Sequence, residues 1–434
     1  MKPSTPEALL KAATFDVAAA DHRHVWHPYT QHDSAAAPIV VKSASGAYLF
    51  DDDGRKIFDA ISSWWVTLHG HAQPDVARAI AEQAQVLEQV IFAGFTHEPA
   101  ARLAAALVER VPAGLTRVFF SDDGSTAVEV ATKIALQYWT NRGEPRHTIV
   151  ALENAYHGDT FGAMSVSGRG LFTDPFARLL FDVERLPDPS ASDAVAALES
   201  LVAARGREIA AVIVEPLLMG AGGMHMWPAS QLRGLREITA HHGIPLIADE
   251  VLTGFGRTGP LFACEHAGVS PDIMCLSKGL TAGFMPMGAT LATDALFDAF
   301  RSPDRMKTLF HGHSFTANPI ACAASLASLS LLDARCAEQR RRIEASHHSA
   351  ADRLRQSPNV SGVRVLGTVI ALELRAADRG YLSAVGPTVA RRSLERGVLL
   401  RSLGDTVYVL PPYCSTDGDL ALAYDVIEEL AREQ

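Results

Sequence analysis

Strand-like and helical segments alternate along the middle of the chain, and this alternation is the feature that most restricts the fold. Beginning at Arg117, short apolar runs of β type such as HTIVAL, AAVIVEP and PDIMCLS are separated by segments with helical spacing. A regular succession of strands and helices predicts a parallel sheet that is covered by helices on both faces. We therefore expect an α/β fold with a mostly parallel central sheet.

Two of the predicted strands end in residues that carry chemistry, within the stretch 243–287. The apolar run 244–248 is followed by Asp249, and the run 272–276 is followed by Ser277 and Lys278. Ligands bind beyond the carboxyl ends of parallel strands, so we expect the acid and the lysine to lie close together there. An aspartate that faces a pyridinium nitrogen and a lysine that forms an imine are the protein's part of pyridoxal phosphate chemistry.

The two ends of the chain differ in composition from its centre. Residues 1–60 predict a helix followed by a small β meander, with turn signals in the DDDGR run. From about residue 333, a strongly charged helix, the strand-like run GVRVLGTVIALEL and a last helix predict a smaller α+β domain. We expect a segment over 1–60 that packs with the small domain, a large cofactor-binding domain over 61–332 and a small domain over 333–434.

Composition excludes several classes of protein. The chain has 434 residues and is 48% hydrophobic, which is sufficient for a large core. A formal net charge of -10 argues against nucleic acid or an anionic membrane as the main partner. Five scattered cysteines without a CxxC pair suit a reducing compartment, so we expect a cytoplasmic protein. We see no signal peptide and no apolar run that is long enough to span a membrane.

Two polar motifs follow predicted strands. Gly124 and Ser125 lie where a helix begins, and the free N–H groups there favour the binding of a phosphate. The competing interpretation is an ordinary helix cap, and the motif alone favours that interpretation. Tyr156 follows HTIVAL, where an aromatic ring can stack on a planar cofactor. The competing interpretation is a polar turn with a half-buried tyrosine, and the motif alone favours that one too.

The acid and the lysine also have simpler explanations. Two explanations of Asp249 are about equally good: it caps the next turn, or it is the partner of a pyridine nitrogen. Lys278 as an ordinary surface residue is disfavoured, because both of its flanks are apolar or glycine-rich and lysine is seldom buried without a function. A desolvated lysine has a lowered pKa and can act as a nucleophile.

Three further features are ambiguous on their own. His311 and His313 lack further ligands at matching spacing, so we predict no metal site. Arg401 in an apolar β-type run can bind a substrate carboxylate, but is at least as well explained as a surface arginine at a strand edge. Without further information, Trp64 and Trp65 are best explained as one core residue and one that covers it.

Together these residues resemble the class III aminotransferases, which are fold-type I pyridoxal phosphate enzymes. The resemblance rests on PLIADEVLTGFGRTGPLFACEHAGVSPDIMCLSKGL and extends from HVWHPYT to VYVLPPY, nearly the whole chain. It implies a fold-type I architecture, pyridoxal 5'-phosphate as the cofactor and a transamination reaction. Lys278 is then the Schiff-base lysine and the base that moves the α-proton, and Asp249 is the partner of the pyridine nitrogen.

The resemblance also implies the other cofactor contacts. Gly124 and Ser125 match the phosphate cup, Tyr156 matches the stacking aromatic residue, and Glu215 matches an acid near the cofactor. Ser314 stands where the family usually has a threonine that reaches the phosphate of the neighbouring subunit's cofactor. We therefore expect a homodimer with shared active sites.

Within the family, WHPYTQ, GSTAVEVATKIALQYW, a tryptophan pair and an arginine followed by VYVLPPY are similar to one subgroup. Its members transfer the amino group of S-adenosylmethionine to 8-amino-7-oxononanoate, which gives 7,8-diaminononanoate for biotin. Aromatic side chains suit the long apolar chain of the acceptor and the sulfonium of the donor, and an arginine suits the acceptor's distant carboxylate. The substrate-binding residues implied are Tyr29, Trp64, Trp65, Tyr156, Gly312, Arg401 and Tyr408, of which Tyr29 is also assigned to catalysis.

Three alternatives stay open at this point. The first is another class III aminotransferase that acts on ω-amino acids or diamines such as 4-aminobutyrate. The second is a binding protein that keeps the fold and the cofactor without catalysis, against which the intact Lys278 and Asp249 argue. The third, a dinucleotide-dependent dehydrogenase, lacks the GxGxxG fingerprint after an early strand.

Overall fold

A computed structural model describes residues 15–375, 383 and 385–433 of the chain. The predicted helix and meander of the N-terminal segment are present, although residues 1–14 lie outside the described part. Helix α1 (Val17–His24) precedes an antiparallel meander whose strands are β1 (Val41–Ser45), β2 (Tyr48–Asp51) and β3 (Lys56–Asp59).

A seven-stranded sheet forms the centre of the molecule, in the order β4-β12-β11-β10-β7-β5-β6. Only β12 runs against its neighbours, so the sheet is mostly parallel, as predicted. The strands of this region, which include the separate ribbon β8–β9, are β4 (Leu115–Ser121), β5 (Thr148–Leu152), β6 (Glu184–Leu186), β7 (Ile209–Val214), β8 (Leu218–Met219), β9 (His225–Met226), β10 (Leu246–Asp249), β11 (Ile273–Leu276) and β12 (Gly288–Thr293).

Apolar side chains on both faces hold this sheet in place. Every residue of β7 is buried, which is the pattern of a strand covered on both sides. Val212 and Val214 belong to one core cluster, whereas Ala211 and Ile213 belong to another. Because side chains alternate along a strand, the two clusters lie on opposite faces. The α/β fold class is thus confirmed.

Helices follow most strands of this region. The spacing of apolar residues predicts helices over 74–90 and 98–111. Both helices are present but end earlier, at Ala84 and Val108. The helices, including the short turn α2 with its positive-φ residues, are α2 (Ser62–Trp65), α3 (Pro74–Ala84), α4 (Glu98–Val108), α5 (Gly124–Asn141), α6 (Phe161–Val166), α7 (Ala194–Arg205), α8 (Ala229–His241), α9 (Cys264–Ala267), α10 (Asp294–Asp298) and α11 (Pro319–Ser330).

The C-terminal part has its own antiparallel sheet, in the order β13-β14-β17-β16. The strand-like run GVRVLGTVIALEL forms two strands rather than one, because Gly367 turns the chain with a φ of 55°. The elements are α12 (Ala334–Leu354), β13 (Val360–Leu366), β14 (Val369–Leu374), α13 (Val385–Glu395), β15 (Val398–Leu399), β16 (Ser402–Leu403), β17 (Thr406–Val409) and α14 (Asp417–Glu433).

Strand β15 connects the two ends of the chain. It pairs in parallel with β3, with Val398 opposite Phe58 and Leu399 opposite Asp59. The N-terminal meander and the C-terminal part therefore share a sheet. The domain boundaries at residues 60 and 332 stay a prediction.

Within the described ranges, no single helix is long and apolar enough to cross a membrane. One pair of helices, α11 and α12, reaches the required length and composition only when taken together, and it is bent by 72°.

Candidate active site

The carboxyl ends of the central strands meet at one edge of the sheet, around a cavity of about 530 Å³. Strand β4 points in the same direction as β11, because both are antiparallel to β12. The residues that leave β4, β5, β7, β10 and β11 therefore converge here. The predicted site residues that line the cavity are Tyr29, Trp64, Trp65, Gly124, Ser125, Tyr156, Glu215, Asp249 and Lys278.

Asp249 lies at the end of β10 and is only 4% exposed. One carboxylate oxygen accepts a hydrogen bond of 3.0 Å from the Val251 N–H. The other lies 2.7 Å from Nδ1 of His157, whose side chain is also buried. With a carboxylate as the acceptor, Nδ1 is the nitrogen that carries the proton. The carboxylate is therefore held in one orientation, toward the cavity.

Sequence reasoning missed His157 as a functional residue. It lies directly after Tyr156, so its place behind a strand end was visible, but its partner Asp249 is 92 residues away. Its Nε2 is buried and has no hydrogen-bond partner among the described residues. The histidine therefore orients the carboxylate through Nδ1 alone.

Lys278 follows β11, and its backbone has a φ of 40°, a left-handed conformation that is strained for a side chain of this size. Burial lowers the pKa of its ammonium group, while the nearby Asp249 and Glu215 carboxylates raise it. The ammonium lies 5.1 Å from the centre of the Trp65 ring. These surroundings favour the neutral amine, which is the form that can act as a base or a nucleophile.

The end of the cavity at α5 is built for an anion. Asp123 caps the helix and bonds to Thr126 in a capping box, so the cap is provided by these two residues. Gly124 and Ser125 line the cavity at the positive end of the helix dipole. A Cβ atom at Gly158 would lie 2.0 Å from the Ser125 hydroxyl oxygen, so the loop after β5 closes tightly against this turn.

Tyr156 and Glu215, which also line the cavity, are linked by a hydrogen bond. The Tyr156 N–H donates a 2.8 Å hydrogen bond to Glu215, whose other oxygen accepts one of 3.0 Å from Gly220. Burial, followed by the charge of Asp249, raises the pKa of the Glu215 carboxyl to about 7, against the opposing effect of His157. Burial also raises the pKa of the Tyr156 hydroxyl above its usual range.

Aromatic side chains form the mouth of the cavity. The Tyr29 ring lies 5.9 Å from Trp64, and its hydroxyl donates a hydrogen bond to Asp159, a residue that sequence reasoning did not single out. Trp64 is 39% exposed, and the Arg401 guanidinium stacks 4.5 Å from the centre of its ring. The contacts of Trp64 with Tyr29 and Arg401 therefore bring these three side chains together, as expected if they form one wall of a substrate-binding site.

Tyr408 lies one layer away from the cavity. Its side chain is buried, and its hydroxyl accepts a 2.9 Å hydrogen bond from the Trp65 indole. It is not among the residues that line the cavity. It lies behind Trp65 and holds that ring in place, and its contact with a substrate stays a prediction.

Ser314 and Gly312 lie outside the cavity, and both are exposed. The loop that carries them is fixed by Gln89, whose amide donates 2.7 Å to the Ser314 carbonyl. His313 lies 3.5 Å from Asp122, in the loop that leads to the end of the cavity at α5. No group of three or more potential metal ligands occurs in the part of the chain that the structure describes.

Comparison with known proteins is consistent with this geometry. The profile of the family described as Aminotransferase class-III matches residues 29–430. The adenosylmethionine-8-amino-7-oxononanoate aminotransferase of Synechococcus elongatus is 50% identical over 95% of this chain and 99% of its own length. The protein of the same name from Geobacter sulfurreducens is 39% identical over 94% and 96%.

Solved structures of aminotransferases are similar to this chain in fold as well as in sequence. The adenosylmethionine-8-amino-7-oxononanoate aminotransferase of Methanocaldococcus jannaschii superposes with a TM-score of 0.92, at 34% identity, and covers 96% of this chain and 98% of that chain. An amine transaminase from an uncultivated Pseudomonas species, in its PLP-bound form, has a TM-score of 0.87 at 33% identity, with coverage of 94% and 98%.

Proposed function

The chain belongs to the class III aminotransferases, and on that premise we propose that it transfers the amino group of S-adenosylmethionine to 8-amino-7-oxononanoate. The product is 7,8-diaminononanoate, an intermediate of biotin synthesis. The observation that carries this assignment is the 50% identity, over nearly the whole of both chains, to an enzyme of that name. It agrees with the subgroup that the sequence motifs indicated.

The cofactor is pyridoxal 5'-phosphate, and the residues present fit it. Gly124 and Ser125 would hold the phosphate at the helix terminus, Tyr156 would cover the ring, and Asp249 would face its nitrogen. Lys278 would hold the cofactor covalently. When bound, the cofactor draws electrons away from the carbon that bears the amino group, so that a proton can leave that carbon.

Lys278 is the residue that moves this proton. Burial lowers the pKa of its ammonium group, which favours the neutral amine, the form that can accept a proton. The two carboxylates nearby, Asp249 and Glu215, stabilise the ammonium once the proton has been taken up. The same nitrogen can therefore accept the proton in one step and return it in the next.

Asp249 supports the reaction through its charge. A buried carboxylate that is fixed by the Val251 N–H and by His157 keeps a facing ring nitrogen protonated. The hydrogen bonds cost no reorganisation during the reaction, because they are already formed. His157 is therefore a positioning residue.

Tyr29, Trp64 and Arg401 suit the two substrates. An apolar chain packs against the exposed tryptophan face, and a guanidinium forks onto a carboxylate. Arg401 is already placed over Trp64, so it lies beside the same wall. Aromatic faces also accept a sulfonium cation.

The shared active site is the second part of the proposal. Ser314 is exposed on a loop beside the phosphate end, and several large apolar side chains of the neighbouring segments are 60% exposed or more; these are Ile91, Phe95, Phe310 and Phe315. Exposed apolar surface of this kind marks a protein interface. A second copy of the chain would cover it and bring its Ser314 to the phosphate.

The donor spectrum tests the function. S-adenosylmethionine should remove the visible absorbance band of the lysine-bound cofactor, whereas glutamate and 4-aminobutyrate should not. A response to 4-aminobutyrate instead would favour an aminotransferase for ω-amino acids. A band that no amine changes would indicate a binding protein without catalysis.

The state of the cysteines bears on the cellular compartment in which the enzyme works. All five are free thiols, and only Cys414 is not fully buried. A reducing compartment keeps such thiols unpaired, so we propose that the enzyme works in the cytoplasm.

A further inference from the structure

The turn that joins β8 to β9, residues 220–224, lies between the active site and the C-terminal sheet. At its start, the Gly220 N–H donates a 3.0 Å hydrogen bond to the Glu215 carboxylate. Two carbonyl oxygens at its end accept hydrogen bonds from Arg364 of β13. The turn therefore connects an acid of the active site with an arginine that does not line the cavity.

Arg364 uses all three nitrogen atoms of its guanidinium. Nε donates 2.7 Å to the Met224 carbonyl, and Nη2 donates 2.6 Å to the Gly223 carbonyl. Nη1 donates 2.6 Å to the Gly362 carbonyl and forms an ion pair with Glu373 of β14. A planar guanidinium bonds these groups at once, and the compact ammonium of a lysine cannot match that arrangement.

The turn itself is strained and closely packed. Met224 has a φ of 54°, a left-handed conformation that is costly for methionine. Its N–H donates a 2.9 Å hydrogen bond to the Gly220 carbonyl, and its side chain is buried in the apolar cluster that includes Trp65. This hydrogen bond spans the turn, so a shift of the Met224 carbonyl away from Arg364 also moves Gly220.

The charge of Glu215 depends on the Gly220 N–H. Burial raises the pKa of the Glu215 carboxyl, and so does the charge of Asp249, whereas the charge of His157 and the two N–H groups that bond to the carboxylate lower it. Lys278 is the other titratable group beside it, and the Glu215 charge stabilises the Lys278 ammonium. Loss of the Gly220 bond would therefore leave Glu215 neutral over a wider range of pH.

We propose that Arg364 is a positioning residue of the active site, which acts through the turn 220–224 on the charge of Glu215. This inference rests on the proposed function, in which Lys278 takes up a proton and returns it. By holding the two carbonyl oxygens, Arg364 keeps the Gly220 N–H directed at Glu215. The charged carboxylate then stabilises the Lys278 ammonium, although Arg364 itself belongs to the C-terminal sheet.

Infrared spectroscopy of the holoenzyme over a range of pH tests the proposal without turnover. The C=O stretching band of a protonated carboxyl reports the neutral form, and the part of it that is lost in Glu215→Gln belongs to Glu215. Arg364→Met keeps a long side chain and removes the donors, so the midpoint of the Glu215 titration should rise by about one pH unit, the order expected for one hydrogen bond to a charged group. Arg396→Met is the matched control, because Arg396 pairs with Glu429 at 2.7 Å in the C-terminal part and does not line the cavity. Equal midpoints in Arg364→Met and the wild type would overturn the proposal.

Arg364→Lys provides a second variant, which keeps the positive charge in case Arg364→Met does not fold. It lacks the planar fork, so its midpoint should also rise, and an unchanged midpoint would count against the proposal. In the half-reaction with S-adenosylmethionine, the acidic limb of its rate profile should move to higher pH by the same amount, while the donor KM changes less than about 2-fold. A larger effect on KM than on the rate would show a contact with the substrate and would contradict a positioning role. If the wild-type enzyme does not react with S-adenosylmethionine at all, the proposed function fails, and the infrared midpoints still decide the role of Arg364.

Discussion

His157 provides the most informative single perturbation of the site. Its Nδ1 lies 2.7 Å from the Asp249 carboxylate, and both side chains are buried, so solvent cannot replace the bond. A hydrogen bond to a charged group contributes about 1.5 to 3 kcal/mol. If the carboxylate loses this amount of its stabilisation at the ring nitrogen, the rate of proton transfer should fall roughly 10-fold to 100-fold.

Stopped-flow absorbance of the holoenzyme with S-adenosylmethionine measures this directly. His157→Phe keeps the size of the ring and removes the hydrogen bond, so the half-reaction should slow while the donor KM changes little. His266→Phe is the matched control, since Nε2 of His266 donates a 2.8 Å hydrogen bond to the Thr258 carbonyl, away from the cavity. Unchanged rates in His157→Phe, or an equal loss in the control, would refute a positioning role.

Three further predictions follow from the same geometry. The Glu215 carboxyl has a pKa of about 7 in the folded chain, against an ordinary value of 4.5. Between these two pH values the folded chain binds a proton that the unfolded chain has lost. The free energy of unfolding of the apoenzyme should therefore fall by about 3 kcal/mol as the pH rises from 4.5 to 7. Urea unfolding should show this slope in the wild type and a flatter one in Glu215→Gln; the same slope in both would assign it to other groups. Gly158→Ala places a Cβ atom 2.0 Å from the Ser125 hydroxyl oxygen at a φ of 130°, so it should weaken cofactor binding at least 10-fold, whereas Gly143→Ala, with open space around it, should not. In a mixed dimer of Ser314→Ala and Lys278→Ala chains, one site should regain wild-type affinity for the cofactor, because a Lys278 from one chain then meets a Ser314 from the other; absence of any such site would mean that Ser314 acts within its own chain.

Residues at strand ends were predictable from the sequence. Asp249 and Lys278 follow short apolar runs, and the carboxyl ends of parallel strands always meet at one edge, so their proximity needed no further information. Gly124 and Ser125 also follow a predicted strand, but the motif alone favoured an ordinary helix cap, and their phosphate role was implied only by the family resemblance. The α/β fold class was predictable for the same reason, because local periodicity determines it.

Contacts between distant segments were not predictable. Tyr29 and Asp159 are 130 residues apart, and Trp65 and Tyr408 are 343 apart. Nothing in the local sequence shows that Tyr408 supports a tryptophan from behind, and only the family resemblance assigned it to the substrate-binding residues. The end of α3 at Ala84 was also missed, since helical spacing continues past the last hydrogen-bonded turn.

Transfer of a nitrogen label tests the central claim most directly. The holoenzyme is incubated with 8-amino-7-oxononanoate and S-adenosylmethionine that carries heavy nitrogen in its amino group, and the diamine is analysed by mass spectrometry. We predict that one of the two nitrogen atoms of 7,8-diaminononanoate is labelled, and that Lys278→Ala gives no labelled product. Unlabelled diamine, or label that enters only from another amine such as glutamate, would contradict the account.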